Sequence, residues 1–339
     1  MNILLLDRLQ KAAGAFVSYE TLGGLGAGLD ELEAFGFRFE RHPFLGVAYR
    51  GPSARLCPDQ IEFELATTRI GRRVVVWSRV TSTNDLAARA AVSRANDGLV
   101  VLAEEQSAGR GRRGRTWSAP PRDSILMSVL LFPPEALADP AWLTALGAVA
   151  VAETVAEWTG HKPEIKWPND VRVGGRKLAG VLVERGVGSV LGIGINANTD
   201  LAEFPEELRS AATSLRALLD APVDRSAVAR DLIRRLDAWY ESSLRDGPGV
   251  LSGPWRDRSE HLGRDVVVTT PWGRSRERSS TSTSGTACGS PLPREPCGGS
   301  PRDTSWRLSR TWPARAGNRV EREPHGPTGF LLEVARGDC

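Results

Sequence analysis

The sequence predicts an α+β protein, and three observations carry that prediction. Short runs of Val, Ile and Leu recur between residues 72 and 247 and are separated by longer stretches with helical spacing. At 339 residues the chain is long enough for two or three domains. Its character also changes twice, near residue 62 and again after Gly273. The expected division is a small N-terminal module over 1–62, a central domain over 63–247 and a C-terminal part over 248–339.

The elements follow in order. Leu5, Leu6 and Leu9 form one apolar helical stripe, and Ser18 is placed to cap a second helix before Glu20-Thr21-Leu22. Gly23-Gly24-Leu25-Gly26-Ala27-Gly28 comes next. Each glycine costs a helix about 1 kcal/mol relative to alanine, so this segment is expected to break the helical pattern. Phe35–Glu40 and Leu45–Tyr49 read as two strands. In the central domain, 73–77, 99–103 and 124–132 are strand-like. Asp139-Pro140 opens a long helix that runs through Ala145, Val149 and Val155 to Gly160. Short buried strands are expected at 181–183 and 190–195, and helices at 211–219 and 226–244. The last helix places Val228, Leu232, Leu236 and Trp239 on one face. Val266–Thr270 and Thr328–Val334 read as strands. The Ser/Thr/Gly/Pro/Arg-rich stretch 274–325 lacks apolar alternation and is expected to be poorly ordered.

Composition narrows the function classes. A net charge of +3 gives no argument for a nucleic-acid partner. The four cysteines, Cys57, Cys288, Cys297 and Cys339, include no CxxC pair, so neither a zinc site nor a disulfide framework is expected. No metal-ligating cluster stands out. The apolar start Ile3–Leu6 is cut short by Asp7-Arg8, and no run reaches the length of a membrane span. A cytoplasmic protein without a membrane partner is expected.

The chemistry is concentrated in four motifs. Gly109-Arg110-Gly111-Arg112-Arg113-Gly114-Arg115-Thr116-Trp117 packs four arginines and three glycines into nine residues. Glycine permits close backbone approach, and guanidinium forks match phosphate and carboxylate oxygens, so the loop is suited to closing over an anion. It lacks the P-loop pattern. Downstream lie Lys166-Trp167-Pro168-Asn169-Asp170, then Gly175-Arg176-Lys177-Leu178-Ala179-Gly180 with Val181–Glu184, then Gly192-Ile193-Gly194-Ile195-Asn196. Only four of the 44 basic residues are lysines, and two of them, Lys166 and Lys177, fall inside these motifs. A compact ammonium fits where a guanidinium does not. Ser82-Thr83-Asn84 before Asp85 reads on its own as a helix N-cap.

Taken in this order, the motifs resemble those of the biotin–protein ligase family over roughly residues 72–271. The resemblance implies a mixed-sheet catalytic domain of the biotin/lipoate ligase, class II synthetase-like type. It implies a winged helix over 1–62, degenerate because of the glycine run, and an incomplete SH3-like barrel at the C-terminus. The implied activity is ATP-dependent attachment of biotin to a lysine of a biotin carboxyl carrier domain through biotinyl-5'-AMP, with Mg²⁺ accompanying ATP. Ser82, Thr83, Asn84, Gln106, Gly109, Gly180, Gly192 and Gly194 would bind biotin, together with Arg110, Arg112 and Lys177. Arg110, Arg115, Trp117, Lys166, Asn169 and Asn196 would bind ATP, with Trp117 near the adenine. Arg112 and Lys177 would bring carboxylate and phosphate together, and Asp170 would accept the proton of the incoming amine. Alternatives from the same sequence are a lipoate–protein ligase, a DNA-binding regulator and an inactive homologue. The glycine run argues against DNA binding, and a homodimer is compatible with the sequence.

Overall fold

A computed structural model describes residues 1–270, 273–278 and 331–334, with side chains through Asp265. The chain forms two units, Met1–Leu251 and Ser252–Cys339.

The first unit begins with α1 (Ile3–Lys11), α2 (Tyr19–Leu22), a 3₁₀ turn over Gly23–Gly28 and α3 (Leu29–Phe35). The hairpin β1 (Arg38–His42) and β2 (Gly46–Gly51) follows, then α4 (Pro58–Glu62). Leu5, Leu6, Leu9, Leu22, Leu29, Leu32, Phe37 and Val47 make its core. Ser18 caps α2 by accepting from the Thr21 amide at 3.1 Å. The glycine run departs from expectation: it winds as a 3₁₀ helix, and α3 continues directly from it. The segment buries none of its own residues and is held at its ends by buried Leu22 and Leu29. A Cβ on Gly28 would stand 2.6 Å from Asn2 Cβ, so glycine there lets the segment approach the start of α1.

The centre is a seven-stranded sheet in the order β3-β4-β5-β9-β8-β7-β6. Its strands are β3 (Val74–Trp77), β4 (Val100–Ala103), β5 (Ser124–Leu131), β6 (Glu164–Lys166), β7 (Asp170–Val173), β8 (Arg176–Arg185) and β9 (Ser189–Asn196). β3 and β4 are parallel and the other neighbours antiparallel. The helices are α5 (Thr83–Ala90), α6 (Pro140–Thr159), α7 (Leu215–Leu219) and α8 (Arg225–Asp246).

Alternation of side chains divides the sheet's work between its faces. Met127, Ile193 and Val181 lie in one cross-strand row, and α6 covers this face. Gly147 of α6 comes so close that an added Cβ would be 3.0 Å from Val181. Burial of each such aliphatic side chain is worth about 1.5–3 kcal/mol. On the opposite face α5 packs Ala87 and Ala91 against Leu99, Val101, Leu130 and Val190.

Buried polar contacts tie the segments before the sheet to α8. Asp224 caps α8 by accepting from Ser226 and Ala227, while its other oxygen accepts from Gln10 at 3.1 Å and Gln60 at 2.6 Å. Asp237 accepts the backbone amides of Thr68, Arg69 and Ile70. Arg225, 2% exposed, pairs with Glu104 at 2.6 Å and also donates to the Ala54 and Ser124 carbonyls.

Expected and observed elements differ at four further places in this unit. α3 and α4 were not anticipated, nor was the β6–β7 hairpin, whose turn contains a cis Trp167–Pro168 peptide. The helix expected over 211–219 starts only at Leu215. The preceding backbone is taken by a strand, because the Lys177 amide donates to Ala211 O at 2.7 Å and the Thr213 amide to Lys177 O at 2.9 Å.

The second unit contains α9 (Ser252–Asp257) and the strands β10 (Asp265–Thr270), β11 (Gly273–Arg278) and β12 (Leu331–Val334). β10 lies between the other two and is antiparallel to both. A strand over Gly273–Arg278 corrects the expectation of poor order from residue 274. Backbone pairing with β10 forms it without apolar alternation. The remainder of that expectation, 279–325, lies outside the described residues. Among the described residues no helix is long and apolar enough to cross a membrane.

Candidate active site

Strand register assembles the site. Lys166 pairs with Asp170, Asp170 with Gly180, Gly180 with Gly194, and Gly194 with Leu126. Paired residues share a face, so motifs separated by up to 28 residues in the chain form one row across the sheet. The adjacent row joins Leu182, Gly192 and Ser128. Gly180, Gly192 and Gly194 thereby clear a trough on the α5 face, because no Cβ rises from its floor.

One end of the trough is a buried polar cluster at the start of α5. Ser82 caps the helix by accepting from the Asn84 amide at 3.3 Å, so the capping reading of Ser82-Thr83-Asn84 holds. Thr83 donates through its amide and its hydroxyl to Gln106 Oε1 at 2.7 and 3.0 Å. Ser128 Oγ donates toward Asn84 Oδ1 at 2.6 Å and stands 2.7 Å from Thr83 Oγ1. The Asn84 side-chain Nδ2 donates to Glu184 Oε2 at 2.7 Å, and this side chain lies over Gly192.

The other end is charged. Lys177 Nζ forms an ion pair with Asp170 Oδ1 at 2.7 Å, so two residues expected to act separately meet each other. The same ammonium stands 5.5 Å from the centroid of the Trp117 ring. It is also 3.4 Å from where a Gly180 Cβ would be, which places it over the floor. Arg112 is exposed at the loop tip and enters no ion pair among the described residues. Partial desolvation of the guanidinium, followed by the charge of Arg113, lowers its pKa, while Asp170 acts in the opposite direction. Arg115 is likewise exposed.

Between the ends lies Trp117. Its ring covers the floor: a Cβ on Gly194 would be 2.6 Å from Trp117 Cε2, and one on Gly180 would be 3.1 Å from Cζ3. Its Nε1 is buried without a hydrogen-bond partner among the described residues. The ring expected to contact adenine thus lies over the glycine floor. The loop itself is a small hairpin in which Trp117 N donates to Gly109 O at 3.0 Å and Gly111 N to Arg115 O at 2.6 Å. Its tip turns through left-handed Arg113 (φ 58°) and Gly114 (φ 70°). Gly109 is buried and closes the base of this hairpin, since a Cβ there would meet the Trp117 carbonyl.

Three expected residues are engaged elsewhere. Arg110 pairs with Asp85 and Glu184. Asn196 is buried and donates to Thr213 O at 3.0 Å. Asn169 donates one hydrogen of its side-chain amide to Val181 O at 3.1 Å, leaving its Oδ1 and second N–H for other work. Sequence reasoning missed Ser128, Asp85 and Glu184. Ser128 could have been noticed as an inward polar residue in an apolar strand. Glu184 could have been noticed from its even spacing with Gly180 on β8.

Comparisons with known proteins place the chain in a family. A family model described as the biotin/lipoate A/B protein ligase family matches residues 76–200. A Mycobacterium tuberculosis biotin–[acetyl-CoA-carboxylase] ligase is 38% identical over 234 residues, covering 65% of this chain and 85% of that protein. The bifunctional ligase/repressor BirA of Bacillus subtilis is 29% identical over 280 residues, covering 78% of this chain and 86% of its own. Among solved structures, the Aquifex aeolicus biotin protein ligase in complex with biotin and ATP superposes with a TM-score of 0.55 at 27% identity, covering 61% of this chain and 86% of that one. A trough floored by glycines, closed by an arginine-rich loop and backed by a lysine thus sits in a chain that belongs to the biotin–protein ligase family.

Proposed function

We propose that the protein activates biotin with ATP and transfers it to a lysine of a biotin carboxyl carrier domain. The observation that carries this reading is the polarity of the trough. Its Ser82, Thr83 and Gln106 end offers hydrogen-bonding partners for a cyclic urea, and its opposite end carries Lys177 with Arg112 nearby. A lipoyl ring has no polar edge to use the first end, so the polarity favours biotin.

In the first step a carboxylate oxygen attacks the α-phosphorus of ATP, the mixed anhydride forms and pyrophosphate leaves. Both reactants are anions, and fixed cations where their charges meet lower that barrier. Lys177 serves as a point charge over the floor, and Arg112 and Arg115 descend with the loop tip. Lys166, in the same cross-strand row as Asp170, faces the phosphates. Trp117 walls the aliphatic part of the ligand, and its buried Nε1 donates to a ligand atom. Among the described residues no three His, Cys, Asp or Glu side chains stand together. We infer that Mg²⁺ enters with ATP, with Asn169 Oδ1 available to it.

In the second step the carrier's lysine amine attacks the acyl carbon and AMP leaves. Removing the proton of an ordinary lysine at pH 7 costs about 4–5 kcal/mol. Asp170 accepts that proton once Lys177 turns from it toward the anhydride.

DNA binding is no part of this proposal. The α3 face carries Asp30 and Glu33, which pair with Arg41 of β1 at 2.5 and 2.6 Å, and an acidic helix repels a phosphate backbone. The test is incubation with biotin, MgATP and a carrier domain, read by mass spectrometry. One biotinyl group on the carrier is expected, and a carrier of unchanged mass would overturn the proposal.

A further inference from the structure

We propose that Arg110 is a positioning residue that touches neither reactant, and that with Asp85 and Glu184 it latches the base of the loop. The ring end of the trough is then formed before anything binds. This inference rests on the ligase reading and assigns a division of labour within its arginine-rich loop.

The geometry of Arg110 differs from that of its neighbours. Its Nη2 donates to Asp85 Oδ1 at 2.7 Å and to Glu184 Oε2 at 3.0 Å, and its Nε donates to Glu184 Oε1 at 3.2 Å. The two carboxylates come from different elements, Asp85 from the first turn of α5 and Glu184 from β8. Thr81 also donates to Asp85, at 3.1 Å. Bonding to Arg110 is the main reason that the Asp85 carboxyl is held below its ordinary pKa. One exposed ion pair contributes little, but a planar fork bonded to two fixed carboxylates is a network with defined geometry.

Local charge excludes the alternative role. The Arg110 guanidinium already faces two carboxylates, so its charge is matched before any anion arrives. A phosphate or carboxylate approaching it would meet Asp85 and Glu184 first. Arg112 and Arg115 carry no such escort among the described residues.

The latch has a path to the pocket. Glu184 Oε2 accepts from both Arg110 and Asn84, and the Asn84 side chain covers Gly192. The backbone of the same segment is tied to the start of α5. The Ser107 amide donates to Val80 O and the Ala108 amide to Thr81 O, both at 2.9 Å. Residues 106–110 are therefore a fixed base, while the exposed stretch from Arg112 to Thr116 is the part left to move over the reactants.

The experiment compares Glu184→Gln, Asp85→Asn, Arg110→Gln and the Arg110→Gln/Glu184→Gln double variant. The readouts are pyrophosphate release for the adenylation step, melting temperature, and hydrogen exchange of amides 107–110 in the ligand-free protein. Glu184→Gln and Arg110→Gln are each expected to raise the biotin KM about five- to tenfold. The double variant should be no worse than either single one. Glu184→Gln should leave the ATP KM and kcat within about twofold, and should speed exchange at 107–110 without biotin or ATP present. The latch is overturned if Arg110→Gln raises the ATP KM while Glu184→Gln behaves as the unsubstituted protein. It is equally overturned if exchange at 107–110 is unchanged in Glu184→Gln. A wild-type protein that forms no adenylate would instead sink the ligase reading, and the exchange measurement would still decide the latch.

Discussion

Gly192→Ala is the sharpest probe of the glycine floor. A Cβ at this position would overlap Asn84 Oδ1 and stand 3.0 Å from Asn84 Cγ and Nδ2. Asn84 cannot yield freely, because it is 4% exposed and held from both sides. Moving it breaks the 2.6 Å bond from Ser128 and the 2.7 Å bond to Glu184. A neutral bond is worth about 1 kcal/mol net and one to a charged group about 1.5–3 kcal/mol. Alanine returns about 0.4–1 kcal/mol by restricting the unfolded chain. The expected net loss is about 2–3 kcal/mol, a fall in melting temperature of roughly 4–12 °C. The displaced side chain belongs to the ring end, so the biotin KM should rise at least about tenfold while the ATP KM stays constant. Calorimetric melting and steady-state pyrophosphate release measure the two effects. Gly186→Ala is the control: a Cβ there meets nothing within 4 Å, and both quantities should hold. If Gly192→Ala melted and bound biotin like the parent, the close contact between floor and helix cap would not be part of the site.

Other substitutions test separate links. Lys177→Ala should slow adenylation by about 10²–10³. Lys177→Arg should remain impaired, since the ammonium sits 3.4 Å from where a Gly180 Cβ would stand and 5.5 Å from the Trp117 ring centroid, where a fork does not fit; near-complete rescue by arginine in the pyrophosphate assay would refute this. Glu104→Gln leaves the buried Arg225 charge without its carboxylate and should cost about 3–5 kcal/mol in urea unfolding; a loss under about 1 kcal/mol would mean that the pair is dispensable. Burial pushes the Cys57 thiol from 9.0 up to about 11. The folded state therefore disfavours the thiolate, and this contribution to stability is present below pH 9 and lost as pH rises toward 11. Native protein treated with iodoacetamide at pH 8.5 should leave Cys57 unmodified by peptide mass spectrometry, and rapid labelling before unfolding would contradict its burial.

Much of the fold was legible because the central domain obeys local rules. The apolar run of β5, the Asp139-Pro140 start of α6 and the one-sided apolar face of α8 are each written within a few residues. Segments whose structure comes from distant partners were not legible. β6 and β7 are three and four residues long and exist by pairing. Residues 211–213 leave helical form to bond Lys177, and the glycine run winds as a helix turn because Leu22 and Leu29 anchor it. β11 forms by pairing with β10.

The same division holds for the site. Residue types alone determined that the chemistry is anionic, because arginines alternate with glycines at 109–115 and scarce lysines fall at 166 and 177. Tertiary structure decided which of those cations are free to act. Register across β6, β7, β8 and β9 set Lys166, Asp170, Gly180 and Gly194 in one row, and a shift of one residue would have turned them to the α6 face. Packing of α5 on the face of β4, β5 and β9, beside β8, placed Asp85 and Glu184 around Arg110 and left Arg112 exposed. Side-chain chemistry is a property of each residue, but distance between charges is a property of the fold, and electrostatic work depends on both.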